Sequence, residues 1–137
     1  MSAPGLAIAR EAESLIGTPF RLHGRDPRFG LDCIGLVAQA LKQAGHRVSA
    51  PCGYAIRTTD VGHYLGFAPA SGLRSSTGPR QPGDIVMVRP GPAQFHLLVA
   101  GPQGGFIHAH AGLRKVVAAW LDPSWPIVRQ WRHQSSF

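Results

Sequence analysis

The sequence predicts an α+β fold, with N-terminal helices packed on one face of an antiparallel β-sheet meander. Three observations predict it. The first half of the 137-residue chain carries apolar residues at helical spacing. The second half switches to short apolar runs separated by turns rich in Gly and Pro. A run of helices followed by a run of strands leaves the helices stacked on one side of the sheet.

The elements follow in order. "PGLAIAREAESLIG" reads as a first helix, with Pro4 suited to its first position and Gly17 to its stop. Leu6, Ala9, Ala12 and Ile16 form its apolar stripe. "TPFRLHGRDPRFG" reads as a loop. "LDCIGLVAQALKQAG" reads as a second, half-buried helix, capped by Asp32 and stopped by Gly45, with Ile34, Val37, Leu41 and Ala44 facing inward. "TTDVGHYLGF" predicts a short third helix capped by Thr59 or Asp60, and "SGLRSSTGPRQPG" a loop. "DIVMVR" holds a continuous apolar run from Ile85 to Val88 and reads as a strand buried on both faces. "FHLLVAG", "GFIHAHA" and "RKVVAAW" continue the sheet, and "PIVRQWRH" is its last strand.

Composition bounds the function. With 44% hydrophobic and 15% charged residues, positions 1–137 are expected to form one globular domain. No apolar run approaches the ~18 residues of a membrane span. The start "MSAPGLAIAREAESL" has neither the basic head nor the apolar core of a secretory signal, so synthesis in the cytoplasm is expected. Lys and Arg number 14 against 7 acidic residues, a net charge of +7 that favours anionic surroundings such as nucleic acid, cell-wall polymer or an acidic assembly partner. The arginines are scattered, with no basic helix and no aromatic-studded strand, which argues against a sequence-specific nucleic-acid reader. Cys33 and Cys52 are read as thiols.

Cys33 sits where the second helix begins. Amides there have no partner within the helix, and the dipole places partial positive charge at that end. Such a position lowers a thiol's pKa and supplies donors for an oxyanion. Asp32 opposes this unless its carboxylate turns away to cap the helix. Cys52, in the loop "APCGY", has no such setting.

A thiolate nucleophile needs an acid–base partner. Of seven histidines, His96, His108 and His110 lie in consecutive, otherwise apolar strands. One strand histidine is ordinarily structural; three in one hairpin point to a site. Residues opposite one another in an antiparallel pair project from the same face. A loop of Gly101-Pro102-Gln103 therefore sets His96 opposite His108, and a loop of Pro102-Gln103-Gly104 sets it opposite His110. A two-residue Pro102-Gln103 turn puts Ala109 there instead. The pattern leaves His108 and His110 both open.

Five segments together resemble the NlpC/p60 cell-wall cysteine peptidases of the papain-like superfamily. They are "GTPFRLHG", "LDCIGLV" with its Asp-Cys-x-Gly, "QPGDIVMV", "FHLLVAG" and "FIHAHAG", in that order. The resemblance implies Cys33 as nucleophile, His96 as base and His108 as the residue that orients it. Phe20, Asp32 and His110 are implied to border the substrate pocket, and neither metal nor organic cofactor is required. It implies a substrate among peptidoglycan stem peptides, commonly the D-glutamyl–diaminopimelate bond. Small members resemble tail-associated peptidases of phages and gene-transfer agents, which implies other tail proteins as partners and a place in a phage-like particle. Ile34 stands where members often have Ser, and Phe20 where many have a Tyr hydroxyl that reaches the pocket.

Three rival readings use the same residues. The chain could be a structural tail-assembly protein that keeps the fold without activity. His108 and His110 could belong to a zinc site, although four ligands are the rule. An acyltransferase or amidase could use the same Cys–His pair.

Overall fold

The computed structural model describes residues 3–49, 62–92 and 94–137. Cys52, Thr59 and Asp60 lie outside them. Three helices, α1 (Ala3–Ser14), α2 (Cys33–Gln43) and α3 (Gly62–Ala70), accompany a six-stranded antiparallel sheet. A two-stranded pair, β1 (Arg25–Asp26) and β2 (Gly30–Leu31), lies in the segment expected to be loop. The strands of the main sheet are β3 (Leu73–Ser75), β4 (Ile85–Gly91), β5 (Gln94–Ala100), β6 (Phe106–His110), β7 (Lys115–Ala119) and β8 (Ile127–His133). The α+β class is as the sequence predicts.

The sheet is not a simple meander. Its order is β3-β8-β4-β5-β6-β7, so β8 returns to the free side of β4 and β3 flanks it. β3 falls within the predicted loop "SGLRSSTGPRQPG". The reason lies in β4. Ile85 to Val88 are buried, so their backbone groups need partners on both edges. One charged pair fixes the choice: Arg132 of β8 donates from Nε and Nη2 to the buried Asp84 carboxylate at 2.8 and 2.9 Å. Asp84 also accepts from the Gln81 amide at 2.9 Å, so the Pro-Gly-Asp turn and the last strand are tied together.

Both faces of β4 are buried, as its apolar run predicts. Ile85, Met87, Leu97, Val99 and Ile107 face the helices and meet Ile8, Ile34, Val37 and Leu41. Val86, Val88, Leu98, Ala100 and Phe106 form a second cluster, covered by Leu121 and Trp125 from the β7–β8 connection. Strand alternation places His96 on the Leu98 face and His108 on the Phe106 face.

The buried side chains of α1 are Ile8, Ala9 and Ala12, and Leu15 just past its end is buried with them. Ile16, expected in the stripe, is 44% exposed because the helix has already ended at Ser14. Gly17 then stops the turn with φ +93°. α2 is more deeply buried than half: Cys33 through Ala38, Ala40 and Leu41 are all inside. Sheet packs on one side of it, and the segment 18–31 covers its first turn. α3 runs past the predicted end at Phe67 to Ala70, with Pro69 inside it.

Candidate active site

The first turn of α2 organises the site. Asp32 is its N-cap, with extended backbone, and its Oδ1 accepts from the Gly35 amide at 2.8 Å. The same oxygen accepts from Arg25 Nη1 at 2.9 Å, and Oδ2 accepts from the His23 amide at 2.9 Å. The carboxylate is thus turned to the cap and to Arg25, as anticipated. Gly35 is required by contact: a Cβ there would overlap the Gly24 carbonyl oxygen. Asp-Cys-x-Gly is therefore a unit in which Asp caps, Cys opens the helix and Gly admits the covering loop.

Cys33 is 8% exposed. Backbone hydrogen bonds from Leu97 and Ile34 reach its thiol. The Leu97 amide is available because of the ladder. Ala100 of β5 donates its N–H to the Asp84 carbonyl and accepts at its C=O from the Gly83 amide, both on the β4 side, so alternation points the Leu97 amide away from β4. β5 and β6 pair at Val99↔Ile107 and Ala100↔Phe106 and then separate. The site opens in that split.

The hairpin loop is Pro102-Gln103-Gly104, since the Gly101 amide donates to the Gly105 carbonyl at 3.1 Å. Continued regularly, that register sets His96 opposite His110. The structure does otherwise. Beyond Ile107 the strands part, and His96 Nε2 lies 2.9 Å from His108 Nδ1, with ring centroids 5.1 Å apart. His110 points its Nδ1 elsewhere, accepting from the Leu113 amide at 3.0 Å. That bond leaves His110 with its proton on Nε2.

Phe20, Asp32, Cys33, His96, His108 and His110 border one pocket of about 230 Å³. The structure brings all six sequence-derived candidates together. It adds Trp125, whose ring is edge-on to both His96 and His108. The sequence reading passed over Trp125, although "DPSWP" is a turn signal and a turn between strands is where pocket walls arise. Phe20 brings no hydroxyl to the wall.

The electrostatics differ from expectation. The Cys33 thiol is pushed up to about 12, chiefly by burial and secondly by the Asp32 charge. The lowered pKa inferred from the helix start is not found, because desolvation outweighs the dipole and the backbone donors. His96 is lowered to about 3 by burial, then by its histidine neighbours. His108 is lowered to about 4 for the same reasons. The resting site is thus a neutral thiol beside two neutral imidazoles. Among the described residues no group of three or more His, Cys, Asp or Glu is arranged to hold a metal ion, and no helix is long and apolar enough to cross a membrane.

No family model matches the chain. It is 28% identical over 108 residues to Protein P54 of Enterococcus faecium, an alignment covering 79% of this chain but 18% of that protein. The NlpC/p60 domain of the peptidoglycan hydrolase SagA superposes with a TM-score of 0.61 at 25% identity, over 90% of this chain and 95% of that domain. NlpC2 from Trichomonas vaginalis superposes with a TM-score of 0.65 at 20% identity, over 94% of this chain and 47% of that one. The fold is that of NlpC/p60 domains.

Proposed function

We propose that this chain, which has the fold of NlpC/p60 peptidoglycan hydrolase domains, is a cysteine peptidase acting on peptidoglycan stem peptides. Cys33 is the nucleophile, His96 its base and His108 the group that orients His96. The observation that carries the reading is the 2.9 Å bond between His96 Nε2 and His108 Nδ1, in a pocket shared with a thiol that opens a helix. With Nε2 donating to His108, Nδ1 of His96 is the nitrogen left to take a proton from the thiol.

In the first step Cys33 Sγ attacks the amide carbonyl carbon while its proton passes to His96. Burial opposes charge on either group alone, but one proton transfer creates both charges together and each offsets the other. The oxyanion is held by the helix-start amide of Cys33. His96 then gives its proton to the leaving amine, the C–N bond breaks, and a thioester remains. Water, deprotonated by His96, attacks the thioester and returns the thiol. The whole cycle runs on these side chains and water.

Resemblance to the family favours the bond between D-glutamate and diaminopimelate, and a place in the tail of a phage-like particle. The basic charge of the chain suits an anionic wall. Hydrolysis of defined muropeptides, with products identified by mass spectrometry, tests the reading. A second reading, a structural tail protein that keeps the fold without turnover, is favoured by the neutral thiol and by the missing hydroxyl at Phe20. Inertness on every sacculus type would select it.

A further inference from the structure

Trp125 has no part in the chemistry above, yet it meets both imidazoles. Its ring stands 6.1 Å from His96 at 89° and 5.9 Å from His108 at 84°. The two histidine rings are themselves at 76° to one another, so three rings meet edge to face.

The chain is built to hold the indole there. Asp122 Oδ1 accepts from the Ser124 amide at 2.9 Å and from the Ser124 hydroxyl at 2.7 Å. The Trp125 amide donates to the Asp122 carbonyl, and the Arg89 amide to the Pro126 carbonyl, each at 3.0 Å. The turn is thereby closed on itself and pinned to β4. The indole packs on the cluster of Val86, Val88, Leu98 and Phe106, so its position is fixed by the core as well.

We propose that Trp125 is a positioning residue: it covers the His96–His108 hydrogen bond against water and holds both imidazoles in the planes that make it. Imidazole χ2 torsions are broad, so packing must set ring orientation. The partner of His96 is another neutral ring, with no ionic attraction to hold it. Water admitted beside the bond would offer either nitrogen an alternative partner. Burial, the first cause of the low His96 and His108 values, is in part what this indole supplies. The consequence for turnover rests on the hydrolytic reading; the consequence for the rings does not.

The test uses the intact protein with Trp125→Phe, Trp125→Leu and Trp125→Ala. Imidazole titrations followed by NMR report the rings, and kcat and KM on a muropeptide report function. In Trp125→Ala both titrations should move up from about 3 and 4 toward 6.5. The acid limb of kcat should move with them, and kcat should fall about 10- to 100-fold with KM little changed. Trp125→Phe should restore most of each; Trp125→Leu, which keeps the apolar cover, should fold and lie between. Unshifted titrations in a folded Trp125→Ala or Trp125→Leu protein would overturn the proposal. So would a rise confined to KM, which would make Trp125 a substrate contact. Absence of turnover in the unmodified protein, with the titrations still shifting in the variants, would reject the hydrolytic reading and leave this one standing.

Discussion

His96 bonds to His108, although the register of β5 on β6 points His96 at His110. The bond exists because the strands separate after Ile107, which lets the His96 ring reach a neighbour two residues away from its regular partner. The same split frees the Leu97 amide for the Cys33 thiol. One irregularity in the ladder thus assembles three side chains.

The two histidines of β6 should therefore respond differently to truncation. His108→Ala removes the ring bonded to His96, and kcat should fall by roughly 10²–10⁴-fold. His110→Ala removes a pocket-wall donor, and the loss should be under about tenfold and fall mainly on KM. Steady-state kinetics on a muropeptide decide it; the reverse ranking would transfer the orienting role to His110.

Stability should decline on mild acidification. Unfolded, His96 and His108 titrate near 6.5, whereas folded they titrate at about 3 and about 4. Below 6.5 the unfolded chain binds protons that the fold refuses, so their contribution is complete above 6.5 and is lost as pH falls toward 3. His133, lowered by burial and by the His46 ring stacked 3.8 Å away, acts in the same direction. Denaturant melts between pH 7 and pH 4 should show this slope, and a His96→Gln/His108→Gln double variant should flatten it. An equal slope in both proteins would contradict the assignment.

The thiol should behave as a buried, neutral group in the free protein. With Cys33 raised to about 12 from an ordinary 9.0, iodoacetamide labelling should be slow at neutral pH and still climbing above pH 9. Mass spectrometry of the labelled Cys33 peptide across that range gives the profile. A plateau below pH 8 would mean that the helix start, rather than burial, sets the thiol.

Gly35→Ala should destabilise the protein without changing any reacting group. The added Cβ meets the Gly24 carbonyl, which must move together with Arg25 and the cap at Asp32. Overpacking of this kind costs about 1–3 kcal/mol. Urea unfolding measures it, and a loss below ~0.5 kcal/mol would show that the covering loop yields freely.

Much of this was legible in the sequence where local chemistry decides it. Asp32 as a cap, Gly17 and Gly45 as stops, and the doubly buried β4 all follow from residue type and period. The return of β8 to β4 was not legible. It depends on Arg132 meeting Asp84 across 48 positions, and neither residue is unusual on its own. The histidine pairing was half legible: the hairpin loop could be narrowed to odd lengths, but the parting of β5 from β6 is tertiary. The thiol's state was misjudged because a helix start is visible in sequence, whereas the depth of burial around it is not. Trp125 was missed because a single aromatic in a turn carries no period.

Cys33 is proposed to hydrolyse a peptide bond with His96 as its base. The most direct test is to incubate purified protein, and its Cys33→Ala variant, with defined muropeptides and identify every product by mass spectrometry. Fragments ending in D-glutamate are expected from the unmodified protein and none from Cys33→Ala. Peptide cleavage undiminished in Cys33→Ala, or products explained only by glycan-strand cleavage, would contradict the proposal.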